Sequence, residues 1–329
     1  MSESKPAEPD VEARKLLDSI FFPYNQRRTA DALRQGGRFV YYTRAATALQ
    51  ILNSRKLWLR NAATMNDHSE ISHGLACLSR AYRGPAGLKL KSALDGTFRE
   101  ISDEIEAQFN QLVPNIELDT FMACVSEHDA ADDLRGRLSM WRAYGGNAGV
   151  AIVFNGAAMF GDSGEVGAFS SPVFYGNPAD FEAEFATTVD GVAASVGRLA
   201  TLGRDVVKNA VFQMLRFSAV STKHPGFREE REWRITASPS LYHPERLVSA
   251  IEIIDGIPQA VMKIKLENDP DNHLVGMAPA ELIDRIIIGP SQFPWAIHRA
   301  FHEVLSQLGV PGVETKVVVS DIPLRHNAL

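Results

Sequence analysis

Cysteine is nearly absent from this chain: Cys77 and Cys124 are the only two among 329 residues. Two cysteines make neither a zinc cage of their own nor a disulfide framework, and a reducing, cytoplasmic setting is the expectation. Long apolar runs are also missing. None approaches the ~20 residues that span a bilayer, and the opening MSESKPAEPDVEARK is polar and acidic, unlike a signal peptide, so no membrane partner is expected. Basic charge is not in excess: the formal net charge is -6 and the pI about 5.9. That argues against a broad, sequence-independent nucleic-acid surface, which needs a basic face. No glycine-rich phosphate loop follows a strand, so Rossmann and P-loop readings find no support. No G-x-S-x-G elbow surrounds a serine, which argues against a hydrolase nucleophile of that kind. Internal repeats and low-complexity segments are absent as well.

What remains is ordinary globular composition, 45% hydrophobic and 22% charged, with length enough for a sizeable core. Residues 1–10 read as a disordered tail. Residues 11–329 read as a single α+β domain with helical insertions at about 75–111 and 179–220. DVEARKLLDSIFF, AATALQILNSRK and PWAIHRAFHEVLSQLG carry helical apolar spacing. RFVYYT, LWLRN, FMACVSE, GVAIVF, SPVFYG, LVSAIEII, QAVMKIKL, DRIIIGP and TKVVVS read as strands, rich in β-branched and aromatic residues. Strands scattered among helices, without regular alternation, favour mixed or antiparallel sheets over a doubly wound fold.

Several stretches carry chemistry. In KHPGFREEREWRIT, strand alternation from Glu230 to Thr236 sends Glu230, Glu232, Arg234 and Thr236 one way and Arg231, Trp233 and Ile235 the other. One reading is an edge strand with a solvated charged face and a Glu232–Arg234 ion pair. The other is a catalytic glutamate on a strand behind a mobile KHPGF loop. In FVYYT, Tyr41 and Thr43 share a face with Phe39, and Tyr42 shares the other with Val40; they are either packing residues or hold a sugar or aromatic ring. In MNDHSE, Asn66 and Asp67 suit a loop and cap, and Asp67 with Glu70 fits a loose capping box. His68 and His73 with those carboxylates match no recognised zinc spacing, and no metal is expected. Ser126 ends the strand of CVSE. Trp141 and Tyr144 share a helical face in SMWRAYGG, where packing competes with ring stacking. Arg325, in SDIPLR, either caps the structure or meets an anionic ligand.

Taken in order, FVYYTRAATALQILNSRKLWLRNAATMNDHSE, ACVSE, MWRAYGGNAGVAIVF, KHPGFREEREWRI, IIIGP and SDIPLR resemble a widespread bacterial family known only as a domain of unknown function. The blocks run from about Phe39 to Arg325. A second resemblance is to ADP-ribosyltransferases: a Y-x-T strand, a helix ending in Ile-Leu, a short strand, and a late E-x-E strand after a loop. In that family the first strand reads Y-H-x-T; here Tyr41 stands at the histidine's place and Thr43 at the threonine's. Glu230-Arg231-Glu232 matches the E-x-E, and Ser126 stands at the middle Ser/Tyr position. The resemblance implies split mixed or antiparallel sheets around a cleft, with NAD as substrate. Cleaving the nicotinamide–ribose bond builds positive charge on the ribose, which a fixed carboxylate stabilises.

Glu232 is the expected catalytic carboxylate, and Glu230 orients the acceptor or acts as base towards it. Tyr41 and Trp141 would stack the nicotinamide, with Tyr42, Thr43 and Asn66 lining the cofactor site. Arg234 or Arg325 would hold the pyrophosphate. The expected partners are NAD, a protein or nucleic-acid acceptor (or water), and an antitoxin or immunity protein if the chain is a bacterial toxin or antiphage effector. Two rival readings stand beside this one. The first is a non-catalytic binding or regulatory protein on a degenerate fold of this type. The second is a metal-dependent nuclease using Asp67, Glu70, Glu230 and Glu232.

Overall fold

The computed structural model describes residues 11–65, 68–156, 168–241, 246–254, 256–272 and 274–323. The expected tail at 1–10, and the site candidates Asn66, Asp67 and Arg325, lie outside the described residues. Among the described residues the strands are β1 (Arg38–Arg44), β2 (Lys56–Asn61), β3 (Phe121–Glu127), β4 (Ala148–Asn155), β5 (Phe169–Pro172), β6 (Phe174–Tyr175), β7 (Thr222–Lys223), β8 (Glu232–Ala237), β9 (Val248–Ile254), β10 (Ile257–Lys265), β11 (Ile283–Ser291) and β12 (Val317–Val319). The α-helices are α1 (Val11–Phe21), α2 (Pro23–Arg34), α3 (Ala45–Ser54), α4 (His68–Arg83), α5 (Pro85–Asp95), α6 (Ile101–Leu118), α7 (Leu138–Met140), α8 (Pro178–Leu202), α9 (Arg204–Val220), α10 (Pro279–Leu282), α11 (Pro294–Gln307) and α12 (Val313–Lys316).

The architecture is α+β with a mostly antiparallel open sheet and many helices. Two compact units divide it. The helical unit takes Met1–Arg28, Asn66–Leu118 and Val173–Phe227; the sheet unit takes Thr29–Met65, Asp119–Pro172 and Arg228–Leu329.

In the helical unit, turn chemistry sets the helix ends. Gly84-Pro85 separates α4 from α5, with Pro at the first turn, where its missing N–H costs nothing. Asn177 caps α8 through Ala179 N (2.8 Å) and Asp180 N (3.0 Å), and Asp180 returns the favour to Asn177 N. Gly203, at φ +89°, divides α8 from α9. Gly74 is needed for packing: a Cβ there would stand 1.9 Å from Ala219 O, so α4 and α9 meet almost backbone to backbone.

In the sheet unit the order is β12-β11-β4-β1-β3-β2-β10-β9, with β8 on β3 and β5 on β8. Among the described residues of this unit, only β11 and β12 pair in parallel. β4 is buried along almost its whole length, which is why its run GVAIVF is continuously apolar and does not alternate. α3 stops at Arg55, whose left-handed backbone (φ 50°) lets its N–H reach Ile51 O and Leu52 O. Ile51 and Leu52 of α3 and Phe301, Val304 and Leu305 of α11 form one core with Phe39, Val125, Ile152, Trp233 and Ile286. A smaller core on the other sheet face holds Val40, Tyr42, Met140, Trp141, Ala151, Val153 and Ile287.

The sheet forks at β3. One edge of β3 bonds β8 from Phe121 to Ser126. The other edge bonds β1 through Ser126 and Glu127, and β2 through Phe121 and Met122. β1 and β2 therefore diverge from the middle of β3, around Ala123–Val125.

The stretch REEREWRIT departs from the alternation expected of it. Pro225–Glu230 is 3-10 helical and β8 begins at Glu232. Arg231 between them sits at φ +48°, unusual for a residue with a side chain. Alternation does not run through a left-handed residue, so Glu230 does not share the strand face of Glu232. Its expected place beside Glu232 and Arg234 is corrected accordingly.

Candidate functional site

Register fixes which side chains meet. Val40, Ser126 and Glu232 lie in one row across β1, β3 and β8, since Val40 pairs with Ser126 and Ser126 with Glu232. Directly opposed antiparallel residues put their Cβ atoms about 4.5–5.5 Å apart. Ser126 and Glu232 are thus immediate neighbours, both buried, at 2% and 4% exposure. The next pair, Cys124 and Arg234, lies on the same face, with Ser171 of β5 on the far side of Arg234. Arg234 Nε donates to Glu232 Oε1 at 2.7 Å, and the guanidinium is wholly buried. The Glu232–Arg234 ion pair of the edge-strand reading does form, but in the interior and not in solvent. Arg234, committed to Glu232 in the protein interior, is not an open pyrophosphate grip.

Alternation from Val40 places Tyr42 and Arg44 on the face of Ser126 and Glu232. Tyr41 and Thr43 alternate with them; Tyr41 packs against the larger core and, where β1 has parted from β3, comes near Cys124 of β3 and Arg60 of β2. These two stand on the β1 wall of the fork. Burial pushes the Tyr41 phenol up to about 12, opposed by the nearby Arg60 guanidinium of β2 and a hydrogen bond with Thr43. Arg60 Nε is buried without a hydrogen-bond partner. Ser126 sits at the vertex, in the last pair that β1 and β3 share before they part.

Trp141 is not a stacking platform. It is 1% exposed, meets Tyr42 edge-to-face at 4.9 Å, and donates from Nε1 to Arg135 O at 2.8 Å. The indole lies on bare backbone: a Cβ on Gly289 would come 2.7 Å, and one on Gly149 3.0 Å, from its Cε3. Its expected contact with nicotinamide is corrected to packing. Tyr42 is likewise buried, its hydroxyl accepting from Arg137 N at 2.9 Å.

Residues that sequence reasoning passed over tie down the start of β8. Glu127, next to Ser126, accepts from Trp233 Nε1 (2.9 Å) through one oxygen and from Arg231 Nη2 (2.9 Å) through the other. Arg231 also pairs with Asp129 and donates to Gln35 Oε1 at 2.9 Å. The Asp129 carboxyl is held below its usual range chiefly by that hydrogen bond from Arg231. Arg231 O accepts from Glu127 N at 3.0 Å. These contacts hold Arg231 in its left-handed conformation at the start of β8. Arg137 Nη1 donates to Glu229 O at 2.6 Å, with Nη2 3.4 Å from both Glu230 O and Glu127 O. Glu230 Oε1 accepts from the Tyr144 hydroxyl at 3.4 Å.

Beyond Ser126 on the same strand face comes His128. Its Nε2 lies 2.9 Å from Asp133 Oδ1, which also accepts from Arg38 (2.8 Å). Arg285 Nη2 is 3.5 Å from the other Asp133 oxygen. Burial pushes the Asp133 carboxyl up, but hydrogen bonds from His128 and Arg38 outweigh it and leave it below the usual range. Burial lowers the His128 pKa. A charged Asp133 assigns the imidazole proton to Nε2, so Nδ1 carries the lone pair. Nδ1 is buried with no hydrogen-bond partner. The acidic run EHDAADD after the strand is the sequence signal that marks this dyad.

The helical unit has its own buried pair. Lys223 Nζ lies 2.7 Å from Glu70 Oε1, with side chains 1% and 7% exposed, and 4.8 Å from the Phe227 ring centroid. His73, one turn after Glu70 on α4, has Nε2 3.1 Å from Gly176 O. Glu70 from MNDHSE and Lys223 from KHPGF are thus joined, which makes Glu70 the partner of a lysine. Among the described residues no three His, Cys, Asp or Glu side chains form a group that could hold a metal ion.

Residues 140–235 match the family model described as Protein of unknown function (DUF2971). The match runs from α7 to β8 and takes in Trp141, Gly149, Lys223, Glu232 and Arg234. It supports the resemblance to a family of unknown function. No curated protein and no solved structure matches the chain. No helix among the described residues is long and apolar enough to cross a membrane.

Proposed function

We propose that the sheet unit carries an NAD-cleaving, ADP-ribosyltransferase-like site centred on Ser126 and Glu232. The observation that carries this reading is the row across three adjacent strands. β1 bears Y-x-T, β3 ends in Ser126 and Glu127, and β8 opens on Glu232, with Ser126 at the vertex of a forked sheet and Glu232 its direct neighbour. In the reaction, the bond from ribose C1′ to the nicotinamide nitrogen breaks and its electron pair leaves with nicotinamide. The acceptor's lone pair then bonds to C1′, and the acceptor's proton passes to a base. Glu232, ion-paired with Arg234, stabilises the positive charge that develops on the ribose. Ser126 orients the carboxylate from the next strand. Tyr41 and Thr43 line the β1 wall of the fork, and Arg44, exposed at the end of β1 on the Glu232 face, replaces Arg234 as the candidate for the pyrophosphate. Water, protein and nucleic-acid acceptors all fit this scheme.

The test is release of nicotinamide from NAD by the full chain beside Glu232→Gln, with calorimetry for NAD binding. Release by wild type, reduced about 10²–10³-fold in the variant, is the expected result. Absence of both release and binding sinks the proposal. One observation favours a non-catalytic rival: Glu232 is already satisfied by Arg234 in the interior. On that reading Glu232→Gln changes stability and leaves ligand binding intact.

A further inference from the structure

The strand β9 is an edge that lacks the usual protections. Among the described residues it bonds only β10, over seven consecutive residues without a bulge. Native edges are normally blunted by lysine, proline, bulges or a covering element. β9, VSAIEII, carries no lysine and no proline. Its single charge, Glu252, lies on the face away from Ile251 and Ile253 and is paired with Lys263 of β10.

The other face of the ribbon is apolar and open. Ile251 is 69% and Ile253 70% exposed, and their β10 partners Ala260 and Pro258 are exposed too. The same row continues inward to Met262 and Ile264, which are buried in the main core. The patch is therefore the core-facing side of the sheet carried past the point where its helical cover ends. Scattered exposed isoleucines need no explanation, but a contiguous ladder on an unpaired edge marks a docking surface.

We infer that β9 is the contact between two copies of this chain, paired antiparallel about a two-fold axis at Ile251. The sequence of β9 is complementary to itself in that register. Ile251 meets its own copy and Ile253 meets Ser249, extending the apolar ladder across the axis. On the opposite face Ala250 meets Glu252, and Val248 meets Ile254. No glutamate stands directly against a glutamate, and each keeps its own Lys263. Such an isologous contact closes on itself and stops at two copies. A seven-residue ribbon is small beside a standard interface of ~1,600 Å², so the dimer is concentration-dependent. This inference does not rest on the proposed NAD chemistry.

Sedimentation velocity of the full chain over a hundredfold range of concentration tests it. The expected result is a rise from one chain mass to twice that mass. Ile251→Lys, at an exposed position that tolerates the charge, stays at one chain mass with an unchanged circular dichroism spectrum. Ile251→Cys places two thiols across the axis, about 4.5–5.5 Å apart at Cα, within disulfide reach, and oxidation yields a covalent dimer on a non-reducing gel. A wild type that remains at one chain mass throughout overturns the inference and leaves β9 to an extended segment of another protein. A dimer that survives Ile251→Lys and forms no Ile251→Cys cross-link also overturns it.

Discussion

Substituting Gly289→Ala tests the packing that sets Trp141 against the sheet. The added methyl would fall 2.7 Å from Trp141 Cε3 and 2.8 Å from Cζ3, well inside contact distance. The indole has nowhere to go. Its other edge would meet a Cβ on Gly136 at 2.7 Å, its N–H is tied to Arg135 O, and Tyr42 covers it edge-on. Overpacking of this kind costs about 1–3 kcal/mol. The reduced freedom of the unfolded chain returns about 0.4–1 kcal/mol, leaving a net loss of about 1–2 kcal/mol from these two effects. With a urea slope near the upper end of ~1–3 kcal/mol/M, the midpoint falls by about half a molar.

The decisive arm is the double variant. Trp141→Phe removes the benzo ring that the new methyl strikes. The Gly289→Ala penalty then shrinks in the Trp141→Phe background, giving a coupling of about 1 kcal/mol or more, whereas independent sites add within about 0.5 kcal/mol. Urea unfolding followed by far-UV circular dichroism reads all four proteins. Additive penalties, or a neutral Gly289→Ala, refute the packing account and reopen Trp141 as a ligand-facing ring.

In the helical unit, Gly74→Ala drives a methyl into Ala219 O, a backbone atom that cannot rotate away, and costs about 3 kcal/mol or more; an unchanged thermal midpoint refutes the close crossing of α4 and α9. His128, buried with its pKa lowered, stays neutral in the fold while the unfolded chain takes up a proton near pH 6.5. Stability therefore falls as pH drops below about 6.5, and His128→Gln flattens that part of a stability–pH curve; an unaltered slope refutes it. Arg137→Ala frees the carbonyls of Glu229 and Glu127 and costs about 2–3 kcal/mol in urea unfolding. Arg137→Lys recovers little of this, because one ammonium does not span the fork geometry, and full rescue by lysine counts against the clip.

The sheet was legible where its residues have few alternatives. FMACVSE, GVAIVF and DRIIIGP are short apolar runs rich in β-branched residues, and β3, β4 and β11 lie where those runs lie. The break of the second helical block into α8 and α9 falls at a glycine, Gly203, whose φ of +89° few other residues adopt. The phase of β8 was not legible. It depends on Arg231 turning left-handed, and that depends on Glu127 and Asp129, more than a hundred residues earlier in the chain. The role of Trp141 was hidden for the same reason: Gly149 and Gly289 make its seat, and their pairing with the indole exists only once β4 and β11 are adjacent. α2 has low mean hydropathy and so little apolar periodicity to mark it, and in the fold Pro23 is its first residue. Of the site candidates, Ser126 and Glu232 come together in one row, whereas Tyr41 and Thr43 lie outside that row, where β1 has already parted from β3.

The charged strand β8 poses an energetic question whose answer bears on function. Every residue from Glu232 to Ala237 is buried, and β8 is flanked by β3 and β5. Taking a carboxylate and a guanidinium out of water costs several kcal/mol for each ion, and their mutual attraction only about restores it. Well-packed apolar residues of similar size often do as well or better at such positions. A strand selected for stability alone has no need of Glu232 and Arg234, whereas Trp233 and Ile235 on the other face fill the main core as expected. The clamp at the start of the strand points the same way. Arg231 holds an unfavourable backbone conformation, and Glu127 commits a buried carboxylate to bonding Arg231 and Trp233 together. Two costly features thus meet at the start of β8, next to the pair that Glu232 makes with Ser126. Strain and buried charge concentrate where a fold must fix a reacting group, and that convergence is the physical reason to seek the chemistry at this row of the sheet.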